Sequence, residues 1–275
     1  MICGRFELDA ERPWVMGILN VTPDSFSDGG RHMALSQALE AAHRMKEEGA
    51  DIIDVGGEST RPGAQPVSPQ QEADRVLPVL EALQPLRIPV SLDSRRPSVV
   101  RQALAVGIDL VNDVSGFQSD AMLALLPAIQ QCRAMACVMH MQGEPQTMQS
   151  APYYDDVVAE VSGFLEAQQS RLMAAGLSRD QILLDPGFGF GKTISHNQQL
   201  FRHLPALSRL GPVLVGVSRK RMIAELSQRP LDRPLSRLGG SLAAAVMAAT
   251  AGARVLRVHD VRETADALRV WAGLK

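Results

Sequence analysis

Short apolar runs recur along this chain, each ending in a polar or charged residue. They are Val15–Asn20, Ile52–Asp54, Pro89–Asp93, Leu110–Asp113, Cys137–His140, Ile182–Asp185, Val213–Ser218 and Val255–His259. Runs this short and this rich in Val, Ile and Leu read as strands buried on both faces, as parallel sheets require. Helical patterns lie between them. Ser36–Glu48 opens on a candidate N-cap serine and sets Leu39, Ala42, His43 and Met45 near one face, and Asp155–Ala175 is a second clear helix. Gly49, Gly107, Gly176 and Gly252 each close a helical stretch just before a strand, which suits the left-handed position past a helix end. The alternation predicts an α/β fold with parallel strands and suits a closed TIM (β/α)8 barrel, but it fixes neither closure nor strand count. An open doubly wound sheet is the alternative that the pattern leaves standing.

In a closed barrel the polar strand ends converge on one face, where the chemistry of such folds is found. Two long turn-rich loops, Val21–Arg31 and Gly57–Pro69, follow strands on that same face and suit lids or ligand clamps. No linker or solenoid repeat interrupts the pattern, so a single domain is expected over residues 1–275.

Composition narrows the class. Of the 275 residues 45% are hydrophobic and only 4% aromatic, so the core must rest on aliphatic side chains. A net charge of −2 argues against a chain built to coat nucleic acid. The stretch Met1–Trp14 lacks the apolar segment of a signal peptide, and Leu242–Ala253 falls short of a membrane span. Cys3, Cys132 and Cys137 form no zinc spacing. A reduced cytoplasmic protein with no membrane or nucleic-acid partner is expected.

Asp54, Asp93, Asn112 and Asp185 should meet at the barrel mouth. Buried carboxylates repel and lose hydration unless something neutralises them. A divalent metal would do so, and so would a ring edge rich in N–H donors, such as an amino-pyrimidine. The run from Asp185 to Thr193 ends in Gly-Lys-Thr, but Pro186 stands where a phosphate loop needs its first glycine, which excludes that motif. Ser218 to Arg221 after the seventh strand, and Arg257 with His259 on the eighth, supply cations where these barrels often bind phosphate. Gly239, Gly240 and Ser241, ahead of an Ala-rich helix, could add backbone donors.

Six segments carry a resemblance: GILNVTPDSFSDGG (17–30), DVGGESTRPGA (54–64), MHMQGEPQTMQ (139–149), LLDPGFGFGK (183–192), VGVSRK (215–220) and RVHDV (257–261). In order and spacing, over nearly the whole chain, they resemble the dihydropteroate synthase family. The resemblance implies a transferase of folate biosynthesis that joins 6-hydroxymethyl-7,8-dihydropterin diphosphate to 4-aminobenzoate and releases pyrophosphate. It assigns the pterin to Asp93, Asn112, Met139, Asp185, Phe190 and Lys220. The diphosphate falls to Asn20, Thr60, Arg61, Arg257 and His259, with Mg²⁺ on Asn20. Phe26, Ser27, Arg61, Pro62, Ser218 and Lys220 would form the aminobenzoate pocket, which sulfonamides would share. Lys220, Asp93, Asp185 and Asp28 would carry catalysis. A homodimer is implied as well. Arg221 departs from the small residue that the family often has there. A pterin-binding corrinoid methyltransferase has no diphosphate to hold, so it gives no reason for Arg257, His259 and the first loop to occur together. A barrel that has lost catalysis would bind pterin diphosphate without turnover.

Overall fold

The structure is a computed structural model that describes residues 2–9, 11–21, 30–58, 67–144 and 147–275. Strands β1 (Trp14–Asn20), β2 (Ile52–Gly56), β3 (Val90–Asp93), β4 (Leu110–Asp113), β5 (Met135–Met139), β6 (Ile182–Asp185), β7 (Leu214–Val215) and β8 (Val255–Val258) form one eight-stranded sheet. Every pairing in it is parallel. Neighbours pair in sequence from β1 to β6, and β8 pairs with both β1 and β7. A parallel bridge between Leu184 and Val213, with the Leu184 N–H donating to Pro212 O at 2.9 Å, brings β6 round to the start of β7. The expected (β/α)8 barrel is thus observed, and the open sheet is excluded because its two edges meet.

Most expected boundaries move by a residue or two, and three differences bear on the site or the caps. The first helix is Gly30–Glu47, so Ser36 lies inside it and is not its cap. Met33, Ala34 and Leu35 are good helix formers and carry the helix upstream of the serine. The fifth strand starts at Met135, paired with Leu110, and ends before His140, whose N–H instead donates to Asp185 O at 3.0 Å. The seventh shrinks to Leu214–Val215 because the chain from Gly216 onward turns into the site. Gly107 sits at φ +101° after the helix Pro97–Val106, as expected, and its N–H donates to Ala103 and Leu104 carbonyls.

Strand parity sorts the residues into two cores. One alternate set, including Val15, Ile53, Val55, Val90, Leu92, Val111, Ala136, Val138, Leu184 and Leu256, packs outward against the helices. The other set fills the lumen with Trp14, Met16, Ile52, Leu110, Met135, Cys137, Leu183, Leu214 and Val255. Along β2, β4, β6 and β8 the residue two places beyond this floor is Asp54, Asn112, Asp185 and Arg257 respectively. The same parity reaches Asn20 on β1, Asp93 on β3 and Met139 on β5.

The opposite end of the lumen is plugged. An antiparallel hairpin, Ile2–Cys3 with Phe6–Glu7, adds Cys3 and Leu8 to the inner core. Asp109 anchors it, accepting from the Arg5 backbone N–H at 3.1 Å, from Arg5 Nε at 3.0 Å and from the Val90 N–H at 3.1 Å. Asp51 likewise takes both ends of the Arg12 guanidinium, at 2.8 and 2.7 Å, and the Val15 N–H at 2.8 Å.

Candidate active site

Arg257 is the hub of the barrel mouth. Its Nε donates to Asp54 Oδ2 at 2.6 Å and its terminal nitrogen to Asp93 Oδ2 at 2.7 Å, while Asn112 Nδ2 donates to the same Asp54 oxygen at 3.4 Å. Burial works against the guanidinium charge, but Asp54 and Asp93 outweigh it and hold Arg257 above its ordinary pKa. Burial pushes the Asp93 carboxyl up to about 7; Arg257 opposes this and Asp54 reinforces it. Two carboxylates therefore share one cation. Asp54 keeps a buried Oδ1 with no hydrogen-bond partner.

The second cation is Lys220. Arg219 occupies the left-handed region at φ +57°, in a turn closed by the Lys220 N–H donating to Val217 O at 3.1 Å. That conformation is unfavourable for a non-glycine residue, so the surroundings must hold it. Ser241 Oγ accepts the Arg219 N–H at 3.0 Å, Arg237 donates to the Arg219 carbonyl, and the Arg219 guanidinium pairs with Asp260. Lys220 is thereby turned inward, where Nζ donates to Phe188 O and lies 4.6 Å from the centroid of the Phe190 ring. Burial lowers the Lys220 ammonium to about 8, with Asp185 opposing the shift. Asp185 is itself raised by burial, offset first by Lys220, and its Oδ1 accepts the Gly187 N–H at 2.7 Å.

On the β8 side, Ser218 Oγ accepts the His259 N–H at 3.2 Å and stands 3.2 Å from His259 Nδ1. Gly239, Gly240 and Ser241 lie in the first turn of the helix Leu238–Thr250. Ser241 is occupied in bracing Arg219 and donates to Arg237 O at 2.9 Å, so it serves the turn. Asn20 Oδ1 and Asp93 Oδ2 both lie 3.8 Å from where a Cβ on Gly56 would stand, so the two side chains flank Gly56 at the strand ends.

Of the expected residues, Asn20, Asp93, Asn112, Met139, Asp185, Phe190, Ser218, Lys220, Arg257 and His259 all lie at the C-terminal ends of the barrel strands or in the turns that follow them. Arg257, expected on an anion, gives its Nε and one terminal nitrogen to two carboxylates here. Phe26, Ser27, Asp28, Thr60, Arg61 and Pro62 lie outside the described residues. Asp54 meets the other carboxylates at the mouth as expected, and it is neutralised there by Arg257. Lys192, which belongs to no phosphate-loop motif, is buried beside His140 and the glycine-rich turn.

Fold and mouth together define a (β/α)8 barrel protein whose site carries buried carboxylates, an amide and two desolvated cations. The model of the pterin binding enzyme family matches residues 16–259. A dihydropteroate synthase of Neisseria meningitidis serogroup C is 49% identical over 275 residues, covering 98% of this chain and 96% of that protein. The Yersinia pestis dihydropteroate synthase in a sulfonamide drug complex superposes with a TM-score of 0.90 at 47% identity, covering 100% of this chain and 98% of that one. The Xanthomonas albilineans dihydropteroate synthase in complex with 7,8-dihydropteroate gives 0.87 at 45% identity, covering 99% and 97%. The chain belongs to the pterin-binding enzymes, within the dihydropteroate synthase family.

Proposed function

We propose that this chain is a transferase of folate synthesis that condenses 6-hydroxymethyl-7,8-dihydropterin diphosphate with 4-aminobenzoate, giving 7,8-dihydropteroate and pyrophosphate. The observation that carries the reading is the under-neutralised mouth: Asp93 and Asp185 are raised by burial while Lys220 is lowered. Such a site is completed by a ligand with N–H donors on one edge and acceptors on another. Asp185, Asp93 and Asn112 would take the donors of the aminopterin edge and Lys220 its acceptors, with Met139 and Phe190 against the ring. Arg257 and His259 would hold the diphosphate, aided by Thr60 and Arg61. Phe26, Ser27, Arg61, Pro62, Ser218 and Lys220 would receive 4-aminobenzoate, and sulfonamides would compete there.

The described residues hold no cluster of three or more metal-binding His, Cys, Asp or Glu side chains. Mg²⁺ suits a site with few protein ligands, because it keeps its waters and takes substrate phosphate oxygens. Asn20, at the end of β1 with Asp93 across Gly56, offers one amide oxygen, which fits that donor set. Asn20 would hold the ion, with Asp28 closing on it, and the bound ion would offset charge on the departing pyrophosphate. The residues themselves do the rest. Arg257 and His259 bind the leaving group, and Asp93 and Asp185 favour the cationic pterin left behind. The arylamine nitrogen then attacks the exocyclic carbon.

A homodimer is part of this reading. Its support is an exposed apolar groove along the last two helices, lined by Val246, Thr250, Ala267, Val270, Trp271 and Leu274. Val270→Glu should shift the protein to monomer in analytical ultracentrifugation. We assign the enzyme to the cytoplasm; no described helix is long and apolar enough to cross a membrane. Recovery of the protein outside the cytoplasmic fraction of its source cells would reject that assignment.

The test of the reaction is pyrophosphate release with Mg²⁺ and the pterin diphosphate, with and without 4-aminobenzoate. Release matched by dihydropteroate is expected, and slow release without the amine would support departure before attack. Binding with no release under either condition would replace this reading with that of a binding module.

A further inference from the structure

Behind the turn that carries Asp185 and Phe190 lies a side chain for which the proposed chemistry has no use. Lys192 is only 3% exposed. Its Nζ donates to the carbonyls of Gly187 at 3.0 Å, Phe190 at 3.1 Å and His140 at 3.3 Å, and stands 3.0 Å from His140 Nδ1. Two segments supply these acceptors: the end of β5 and the turn after β6. They approach closely because Gly187 and Gly191 take φ of +66° and +61°. A Cβ on Gly187 would fall 1.8 Å from His140 O, and one on Gly191 would fall 2.3 Å from Gln142 O.

Converging carbonyls repel one another, and a buried one left without a donor costs roughly 1–3 kcal/mol. Burial lowers the Lys192 ammonium to about 7, with Asp185 opposing the shift; its protonated form, with three donors, answers several carbonyls at once through stronger charge-assisted bonds. Burial, reinforced by Lys192, lowers His140 to about 3, so its ring is neutral and can accept. The rest of the turn is tied as firmly. Asn197 accepts the Gly189 N–H at 2.8 Å, and the Tyr154 hydroxyl donates to Gly191 O at 2.9 Å. The outer side of the same turn gives its Gly187 N–H to Asp185, its Phe188 carbonyl to Lys220 and its Phe190 ring to the Lys220 ammonium.

We propose that Lys192 is a positioning residue: by gathering the carbonyls of His140, Gly187 and Phe190 on one buried ammonium, it fixes Asp185, Phe190 and Lys220 for the pterin without touching it. This rests on the reading above, in which those three residues hold the pterin. Plain stabilisation of the fold by Lys192 predicts a different result, since it would not favour one substrate over the other.

Lys192→Met keeps the stem and removes the donors. It should raise KM for the pterin diphosphate about tenfold or more, as small misplacements in a site do, with KM for 4-aminobenzoate moving less than about threefold. Leu172→Ala, at a fully buried core position on the helix Val157–Ala174, serves as a control for lost stability alone. A pterin KM in Lys192→Met within about twofold of the unaltered enzyme, or an equal rise in a Leu172→Ala protein of similar Tm, would overturn the proposal. Should Lys192→Met fail to fold, Tyr154→Phe loosens the same turn by one bond. It should raise the pterin KM about two- to fivefold and spare the aminobenzoate KM; no rise, or a parallel rise in both, would refute the role. Fluorescence titration with the bare pterin needs no turnover, so it decides on Lys192 even if the unaltered enzyme makes no dihydropteroate.

Discussion

The two ends of this barrel both contain buried aspartates next to arginines, and they treat them in opposite ways. At the closed end, Asp109 accepts from one backbone amide on each of two segments and from the Arg5 guanidinium, and Asp51 is matched by Arg12 and the Val15 amide. Their hydrogen bonds raise Arg5 and Arg12 above the ordinary arginine pKa. At the open end, Asp54 and Asp93 share Arg257, Asp54 has an orphan oxygen, and Lys220 is pushed towards neutrality. A saturated ion pair stabilises a fold and leaves nothing for a ligand, whereas an unsaturated one is a standing demand for a partner.

Removing one charged side chain from each end sharpens the contrast most. Lys220→Ala should reduce turnover by about 10²–10³-fold or more while barely lowering Tm, because it removes charge from where substrate binds. Near-normal kinetics would erase its assigned role. Asp109→Ala should do the reverse. It takes the acceptor from the buried Val90 amide and from the Arg5 amide, at about 1–3 kcal/mol for a buried group, so urea unfolding should shift while kcat of the folded protein is unchanged. A large kcat loss would mean that the closed end communicates with the site.

The pH dependence of the open end follows from the two shifted groups. Asp93, raised to about 7, binds a proton more readily folded than unfolded, so stability falls as pH rises from about 4 to 7. Lys220, lowered to about 8, loses its proton more readily folded, so stability recovers between about 8 and 10.5. Asp93→Asn should flatten the first decline in a pH series of urea unfolding. An unchanged slope would show that Asp93 is not the group responsible. Catalysis wants the opposite charge states, Asp93 ionised and Lys220 protonated, so kcat/KM should peak between about 7 and 8. The smallest effect belongs to Ser218→Ala. It loosens His259 by two hydrogen bonds and should raise the pterin diphosphate KM only about three- to tenfold; no change would detach His259 from the diphosphate.

Much of the open end was legible in the chain, because side chains in a strand alternate between faces. Asn112 and Asp113 are adjacent, yet Asn112 joins the mouth while Asp113 faces out and takes the Ser115 and Phe117 amides. The floor of the lumen, set by Leu110 two residues earlier, already separates them. The pattern could not show that Arg257 would be drawn onto Asp54 and Asp93, since the three residues lie far apart in sequence and meet only when the sheet closes.

The sequence by itself determined the eight strands, the gathering of their polar ends on one face and the family, because local periodicity and motif identity need no tertiary contact. Only the closed structure decided how charge is shared among Asp54, Asp93 and Arg257, that the N-terminal hairpin plugs the lumen, and that Lys192 serves carbonyls in place of a phosphate. Each of these depends on distances between segments remote along the chain, and burial there fixes how strongly each charge is felt.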